Sequence, residues 1–241
     1  MDLGVRHGAR SATGGVYACA ASSVAMSETS TLVTGAHFEY IRARTAVEDR
    51  FLVELKLAAR AAGIPPIWIA PEQASFMQIL LRLAGAREVV EVGTLAGYSA
   101  IAMARGLPRA GRVRTIEISP KHASFAREWI ARSDVAAKIE VHLGAGGDVL
   151  AQFASGSADA AFLDADKANY PLYLEHALRV VRRGGMILVD NAFAFGQIFD
   201  ERPTDPEVAS VRAFNELMAR CERLDKVIVP IGDGLWVGVV H

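Results

Sequence analysis

Cysteine is scarce in this chain. Only Cys19 and Cys221 occur among its 241 residues, and they form neither a CxxC motif nor a Cys/His ligand spacing. Two isolated thiols therefore indicate neither a disulfide framework nor a structural zinc site. A reducing compartment is the default for such a sequence, so we expect a cytoplasmic protein.

Long apolar runs and an excess of one charge are also missing. No segment reaches the roughly 18 uninterrupted apolar residues that a membrane-spanning helix needs. The 26 basic residues nearly balance the 27 acidic ones, so no overall positive field would attract a polyanion. Hydrophobic residues at 51% and charged residues at 22% are typical of a globular domain. We expect a small-molecule substrate, with no nucleic-acid partner and no membrane.

The first 35 residues lack a pattern of their own. Arg6 and Arg10 precede a short apolar stretch at 14–20, which imitates a signal peptide. Glycine, serine and threonine dilute that stretch, and no leucine-rich core follows. We therefore expect a disordered or irregular extension at 1–35 and a single domain at 36–241. Met26 is an alternative start.

Apolar periodicity outlines the rest of the chain. A helical pattern runs over 37–62, and a second helix is predicted from Pro71 to Gly85. Strands and helices then alternate, which is typical of βαβ units in a parallel sheet with helices on both faces. The predicted strands are 88–92, 112–118, 138–143, 160–163 and 186–189, and the predicted helices are 98–105, 119–132, 148–153 and 170–181.

The C-terminal segment has a different pattern. A helix is predicted from Asp205 to about Leu224, followed by strands at 226–231 and 235–240. The turn Gly232-Asp233-Gly234 between the two strands indicates a hairpin, so the last strand should be antiparallel to its partner. The sequence therefore predicts one α/β domain with a seven-stranded, mostly parallel sheet.

Two glycines four residues apart follow the first predicted strand, in the segment EVGTLAGYS at 91–99. Glycines at this point let the backbone turn tightly and approach a ligand, and the next helix offers free N–H groups. The alternative is a tight connection without a ligand. Glu117, at the end of the second strand, has the position of a carboxylate that binds both hydroxyls of a ribose. A solvated strand end is the alternative for Glu117.

Oxygen donors follow two further strands. Asp164 comes directly after the strand at 160–163, and Asp190 and Asn191 come directly after the strand at 186–189. The carboxyl ends of parallel strands are where ligands bind. Two carboxylates and an amide suit Mg²⁺, and also Ca²⁺ or Mn²⁺. Helix capping or a solvated strand end is the alternative for the two aspartates, and a salt bridge to Asp164 or Asp166 is the alternative for Lys167.

The motifs EVGTLAGYS, TIEISP, LGAGGD, FLDADKANY, RRGGMILVDN and PIGDGL occur in this order over about 36–241. Together they resemble the class I S-adenosylmethionine-dependent methyltransferases, and in particular the bacterial members of the cation-dependent catechol and caffeoyl-CoA O-methyltransferase family. The resemblance implies a Rossmann-like methyltransferase domain with extra N-terminal helices. It also implies a homodimer that methylates one hydroxyl of a small aromatic diol.

Residue roles follow from the same resemblance. It implies Lys167 as the general base and Asp164 as the second catalytic residue. It implies Asp164, Asp190 and Asn191 as ligands of a divalent cation, with Mg²⁺ preferred. The residues that it implies around S-adenosylmethionine are Glu72, Glu91, Gly93, Thr94, Ser99, Glu117, Ala145, Asp164 and Asp166.

The sequence departs from the family in the segment after Asn191. A tryptophan is common three residues after the asparagine, whereas this chain has Ala194. Phe193 or Phe195 could supply the stacking surface instead, and Trp236 is expected to pack against the sheet. Two other functions remain alternatives. One is a tRNA hydroxyuridine O-methyltransferase of the same fold, and the other is an S-adenosylmethionine-binding module without catalysis.

Overall fold

A parallel sheet is the centre of the structure, a computed structural model that describes residues 33–45 and 48–241. The described residues contain seven strands in the order β3-β2-β1-β4-β5-β7-β6. β7 is antiparallel to both of its neighbours, as predicted. The strands are β1 (Glu88–Val92), β2 (Arg112–Glu117), β3 (Ile139–Leu143), β4 (Ala158–Leu163), β5 (Val181–Val189), β6 (Leu224–Val229) and β7 (Leu235–Val240).

Eight α-helices are present in the described part of the chain. They are α1 (Gly35–Arg42), α2 (Arg50–Ala61), α3 (Pro71–Leu83), α4 (Tyr98–Gly106), α5 (Pro120–Ala131), α6 (Gly146–Ala151), α7 (Tyr170–Val180) and α8 (Val208–Arg220). None of these helices is long and apolar enough to cross a membrane. The predicted irregular extension lies outside the described residues, apart from 33–35.

The predicted helix over 37–62 is wrong as one element. It is two helices, α1 and α2, and Asp49 explains the second start because its side chain accepts a hydrogen bond from Leu52 N at 2.9 Å. An N-cap of this kind satisfies an amide that has no partner in the first helical turn. The periodic apolar positions before and after Asp49 therefore belong to separate helices.

The fifth strand is longer than predicted. It begins at Val181 directly after α7, and its pairing with β4 moves from Ala158↔Val181 to Ala160↔Met186. The residues between Val181 and Met186 form a bulge that contains Gly184 at φ +71°. The pair Gly184-Gly185, which follows the predicted helix at 170–181, therefore lies inside the strand.

Alternation along the central strands gives the sheet two buried faces. Val89 of β1 packs with α2 to α5 on one face, whereas Val90 packs with α6 to α8 on the other. Successive side chains of a strand point to opposite faces, so both strand positions are apolar because helices cover both sides.

Strand register places the candidate site. Val92 pairs with Leu163, and Leu163 pairs with Val189, so β1, β4 and β5 end side by side. The segments that follow remain in contact, since Asp164 N donates to Val92 O at 2.9 Å and Asp190 N donates to Leu163 O at 3.1 Å. Ligands of open parallel sheets bind at such strand ends.

Candidate active site

A cavity of about 920 Å³ opens at the carboxyl ends of β1, β2, β4 and β5. A volume of this order accommodates a nucleoside-sized cofactor together with a small substrate. Most of the predicted site residues line it, namely Gly93, Thr94, Ser99, Glu117, Asp164, Asp166, Lys167, Asp190 and Asn191. Glu72, Glu91 and Ala145 are predicted site residues that do not line the cavity directly.

The glycine after β1 allows two loops to touch. Gly93 has φ +101°, and a Cβ atom at this position would collide with the backbone carbonyl oxygen of Asp164. The loop from β1 to α4 therefore approaches the end of β4 more closely than a side chain would permit. This contact explains why glycine stands between the acidic strand end and the helix.

Glu91 lies behind the cavity surface. It is fully buried, and its Oε1 accepts a hydrogen bond from the Ser99 hydroxyl. The other oxygen, Oε2, has no hydrogen-bond partner among the described residues. Burial raises the pKa of Glu91 to about 8, and the hydrogen bond from Ser99, together with the nearby Thr115 hydroxyl, offsets part of this shift. A buried acceptor without a partner fits a site that awaits a donor group from a ligand.

Glu117 is held rigidly at the end of β2. Its two oxygens accept hydrogen bonds from Leu95 N and Ser119 N, both at 2.8 Å. His122 Nδ1 lies 3.7 Å from Oε1. A carboxylate oxygen can accept more than one hydrogen bond, so Glu117 retains the capacity to bind ligand hydroxyls. The fixed orientation agrees with the predicted ribose contact and not with a freely solvated strand end.

Lys167 lies between two partners deep in the cavity. Its side chain is 5% exposed, and Nζ is 3.2 Å from Asp164 Oδ1 and 2.6 Å from the Tyr170 hydroxyl. The structure therefore contains the salt bridge to Asp164, which is the alternative to a catalytic role for Lys167. The ion pair also places Nζ beside the carboxylate that follows β4, so the contact itself does not separate the two interpretations.

Asp190 is buried beside a second acid. Gln73 Nε2 donates to Asp190 Oδ1 at 2.8 Å. Burial, together with the charge of Asp164, raises the pKa of Asp190 to about 7. Two neighbouring carboxylates repel each other unless a proton or a cation lies between them. Repulsion between two strand-end aspartates is expected at a site that binds a cation.

Asn191 provides the third predicted donor. Its Nδ2 donates to Asp233 Oδ2 at 3.1 Å, which leaves the amide oxygen for another partner. No group of three or more His, Cys, Asp and Glu side chains that could hold a metal occurs among the described residues. A cation at this point would therefore depend on the amide oxygen in addition to the two carboxylates, a donor set that suits Mg²⁺ or Ca²⁺.

The remaining predicted residues surround the cavity. Asp166 lines it, and its carboxylate accepts hydrogen bonds from Tyr173 Oη at 2.6 Å and from Asn169. Ala145 is half-buried between two lining glycines. Glu72 is buried in the first turn of α3, with Oε2 unpartnered among the described residues. Ala145 and Glu72 therefore lie outside the cavity lining, and their predicted contacts with S-adenosylmethionine stay predictions.

Sequence reasoning missed two side chains that hold the site. Gln73 follows Glu72 directly and contacts Asp190, although only Glu72 was assigned a role. Asp233 was predicted as a turn residue, yet its carboxylate also accepts Phe195 N at 2.7 Å and Gly196 N at 3.1 Å. An acidic residue between two glycines was the available signal for Asp233.

Only one of the two candidate aromatic residues lines the cavity. Phe195 does so, and its ring centroid lies 6.0 Å from Lys167 Nζ. Phe193 packs where a side chain at Gly234 would otherwise lie. Trp236 is buried in the sheet core and donates to Asn215 Oδ1 at 2.7 Å, so its predicted packing role is confirmed.

Comparison with known proteins identifies the family. A family model described as O-methyltransferase matches residues 42–239. The chain belongs to the O-methyltransferase family. It is 38% identical over 193 residues to a catechol O-methyltransferase of Niastella koreensis, covering 79% of this chain and 87% of that protein. A catechol O-methyltransferase of Mycobacterium tuberculosis is also 38% identical, over 192 residues, with the same coverage.

A solved structure agrees with this membership. The O-methyltransferase from Bacillus cereus, determined in complex with SAH, is 37% identical, and the TM-score is 0.77 over 86% of this chain and 97% of that chain. The predicted resemblance to S-adenosylmethionine-dependent O-methyltransferases is confirmed, as are the predicted enzyme class and the Rossmann-like fold with its antiparallel last strand. The chain is therefore an enzyme of methyl transfer to oxygen.

Proposed function

We propose that this O-methyltransferase moves the methyl group of S-adenosylmethionine to one hydroxyl of a catechol-like aromatic diol, with the help of a divalent cation. The observation that carries the proposal is the meeting of Asp164, Asp190, Asn191 and Lys167 at two adjacent strand ends that face one cavity. The two relatives named catechol O-methyltransferase support the substrate class.

The proposed cofactor position rests on the polar groups around Gly93. Ser99 and Glu117 line the cavity on one side of this glycine loop, and Asp166 lines it near α7. Buried Glu91 Oε2 has no partner among the described residues, which suits a donor from the methionine part of the cofactor. Glu117 would hold the ribose hydroxyls, and the small residues at 144–147 leave space for the adenine ring.

The proposed cation would be held by Asp164, Asp190 and Asn191. Once bound, such a cation polarises a hydroxyl oxygen and lowers its pKa, and it fixes the diol for methyl transfer. Lys167 Nζ lies 3.2 Å from Asp164 Oδ1, so a hydroxyl bound beside Asp164 would be within its reach. We assign Lys167 the transfer of the hydroxyl proton and Phe195 the stacking contact with the ring.

The test is methyl transfer to a simple catechol, measured with and without EDTA, for the wild type and for Asp164→Asn. We expect EDTA and Asp164→Asn each to lower kcat at least a hundredfold, because each removes the polarising cation from the diol. Asp148→Asn, an exposed carboxylate on α6, is the matched control and should leave activity unchanged. Full activity in EDTA would contradict the cation's role.

Two other outcomes bear on the alternative functions. Binding of S-adenosylmethionine in calorimetry without turnover of any diol would favour a module without diol chemistry. Methylation of a hydroxylated tRNA base would favour the tRNA enzyme. The acidic lining of the cavity, which includes Asp166, Asp205 and Glu207, argues against a polyanionic substrate.

The proposal includes a homodimer in the cytoplasm. α2 and α3 expose Leu57, Ile79 and Leu83, the last at 81%, and exposed apolar side chains of this kind are candidates for an interface between copies. Sedimentation of the full chain at micromolar concentration would report the dimer, and a monomer at that concentration would contradict it.

A further inference from the structure

Two carboxylates that line the cavity have no part in the proposed reaction. Asp205 and Glu207 lie immediately before α8, and both are half-buried. They belong to the segment that connects β5 to α8, which also contains Phe195. The methyl transfer itself is assigned to other groups. We therefore expect these two carboxylates to select the substituent that the substrate carries.

Each of these carboxylates is only half satisfied. Asp205 Oδ1 accepts Glu207 N at 2.8 Å, and Glu207 Oε1 accepts Lys167 N at 3.1 Å. Neither carboxylate forms an ion pair with any residue in the ranges 33–45 and 48–241. One oxygen of each is consequently available to a group that enters the cavity.

The cationic side chains around the cavity are engaged elsewhere. Lys167 pairs with Asp164, His122 faces Glu117, and Arg42 Nε donates to a carbonyl of its own helix, at 3.5 Å. Arg212, the nearby arginine of α8, donates to the carbonyls of Gln197, Ile198 and Asp200. None of these side chains forms an ion pair with Asp205 or Glu207, so the two carboxylates before α8 can bind a cationic group of the ligand.

Glu207 also lies next to Lys167, the residue that is assigned the proton transfer. Glu207 Oε1 contacts the backbone of Lys167, whose Nζ lies 6.0 Å from the Phe195 ring. An aromatic ring that stacks on Phe195 with a hydroxyl near Lys167 therefore occupies the cavity that Asp205 and Glu207 also line. A substituent that extends toward the segment before α8 meets the carboxylates of these two residues.

We infer that the diol accepted by this enzyme bears a positively charged substituent, such as a protonated amine, which binds Glu207 and Asp205. The inference rests on the proposed function, because it names the substrate class of the same cavity. Diols with an anionic substituent are disfavoured by the same two carboxylates.

Three catechols of similar size test the inference: dopamine is cationic, ethylcatechol is neutral, and dihydrocaffeate is anionic. We expect kcat/KM for dopamine to exceed that for dihydrocaffeate by roughly tenfold at low salt, as two partly exposed charge contacts would give. The ratio should shrink toward one as ionic strength rises, because salt screens such contacts. A ratio near one at low salt overturns the inference.

Isosteric variants locate the effect. Glu207→Gln and Asp205→Asn keep an oxygen acceptor for the backbone amides that they bind now, and each should lower the dopamine-to-dihydrocaffeate ratio by about threefold. Ethylcatechol is the internal reference for any general loss of activity. Glu216→Gln is the matched control, since Glu216 lies on α8 with 71% of its side chain exposed and pairs with Arg220.

The outcomes separate the two proposals. If no catechol is methylated, the proposed function fails and the inference fails with it. If ethylcatechol is methylated but Glu207→Gln and Asp205→Asn leave the ratio unchanged, only the inference is overturned. A ratio that falls in both variants and stays constant in Glu216→Gln supports it.

Discussion

Two tyrosines one turn apart on α7 contact different parts of the site. The Tyr170 hydroxyl lies 2.6 Å from Lys167 Nζ, whereas the Tyr173 hydroxyl lies 2.6 Å from Asp166 Oδ1. The Tyr170 ring packs edge-on against Phe214, and the two ring centroids are 5.1 Å apart. Its hydroxyl has the additional effect of fixing the Lys167 amine, which no local sequence pattern indicates.

We predict that Tyr170→Phe lowers kcat about tenfold and leaves the Kd of S-adenosylmethionine unchanged. The ring and its packing remain, but Lys167 loses a buried hydrogen-bond partner, an interaction worth about 1.5–3 kcal/mol when one group is charged. Tyr173→Phe is the matched control, and it should weaken cofactor binding more than it lowers kcat. Steady-state kinetics and calorimetry measure both quantities. Equal losses of kcat in the two variants would contradict the positioning role of Tyr170.

The segment between β5 and α8 is the element that shapes the substrate side of the cavity. Asn191, Ala194 and Phe195 adopt positive φ angles of 65°, 52° and 60°, a conformation that is costly for residues other than glycine. Asp233 offsets this cost because it accepts two amides and one side-chain N–H of the segment. Asp233, in the β6–β7 turn, therefore holds the part of the segment that adopts positive φ angles, whereas Arg212 binds carbonyls further along it, at 197–200.

We predict that Asp233→Ala loosens this segment while the sheet stays folded. The three acceptors disappear, so the amides of Phe195 and Gly196 should exchange with solvent at least tenfold faster, and kcat/KM should fall by a similar factor. Hydrogen exchange followed by mass spectrometry measures the first effect. Asp225→Ala is the control, because Asp225 lies on β6 with 86% of its side chain exposed. Unchanged exchange over 191–200 in Asp233→Ala would show that other contacts hold the segment.

The elements differ in how well the sequence predicts them. All seven strands are predicted from short apolar runs, and the signal is strongest for β1 and β4, where nearly every residue is buried. The break at Asp49 was missed because the apolar period continues through it. The contact between Asn191 and Asp233 spans 42 residues, and such a pairing becomes visible only when β7 lies beside β5. The donor residues at the strand ends can therefore be predicted from the sequence. The side chains from distant elements that hold these residues in place cannot.

Burial of the Glu91 carboxyl makes the stability of the whole protein depend on pH. Glu91 is fully buried with a pKa of about 8, against an ordinary value of 4.5. Between these two values the folded state binds more protons at this carboxyl than the unfolded state does. Its contribution to stability is therefore fully present below about pH 4.5 and is lost as the pH rises through 8.

We predict that Glu91→Gln removes this loss. At about 1.4 kcal/mol for each unit of pKa shift, ionisation of Glu91 costs on the order of 4 kcal/mol by pH 8, and a glutamine can still accept the Ser99 hydroxyl without carrying a charge. The measurement is urea unfolding of the cofactor-free enzyme at pH 5 and at pH 8. The wild type should lose more stability than Glu91→Gln over this interval, and the other titrating groups, including Asp190, affect both proteins alike. Parallel pH profiles for the two proteins would mean that ionised Glu91 is accommodated in the fold, for example by water that reaches Oε2.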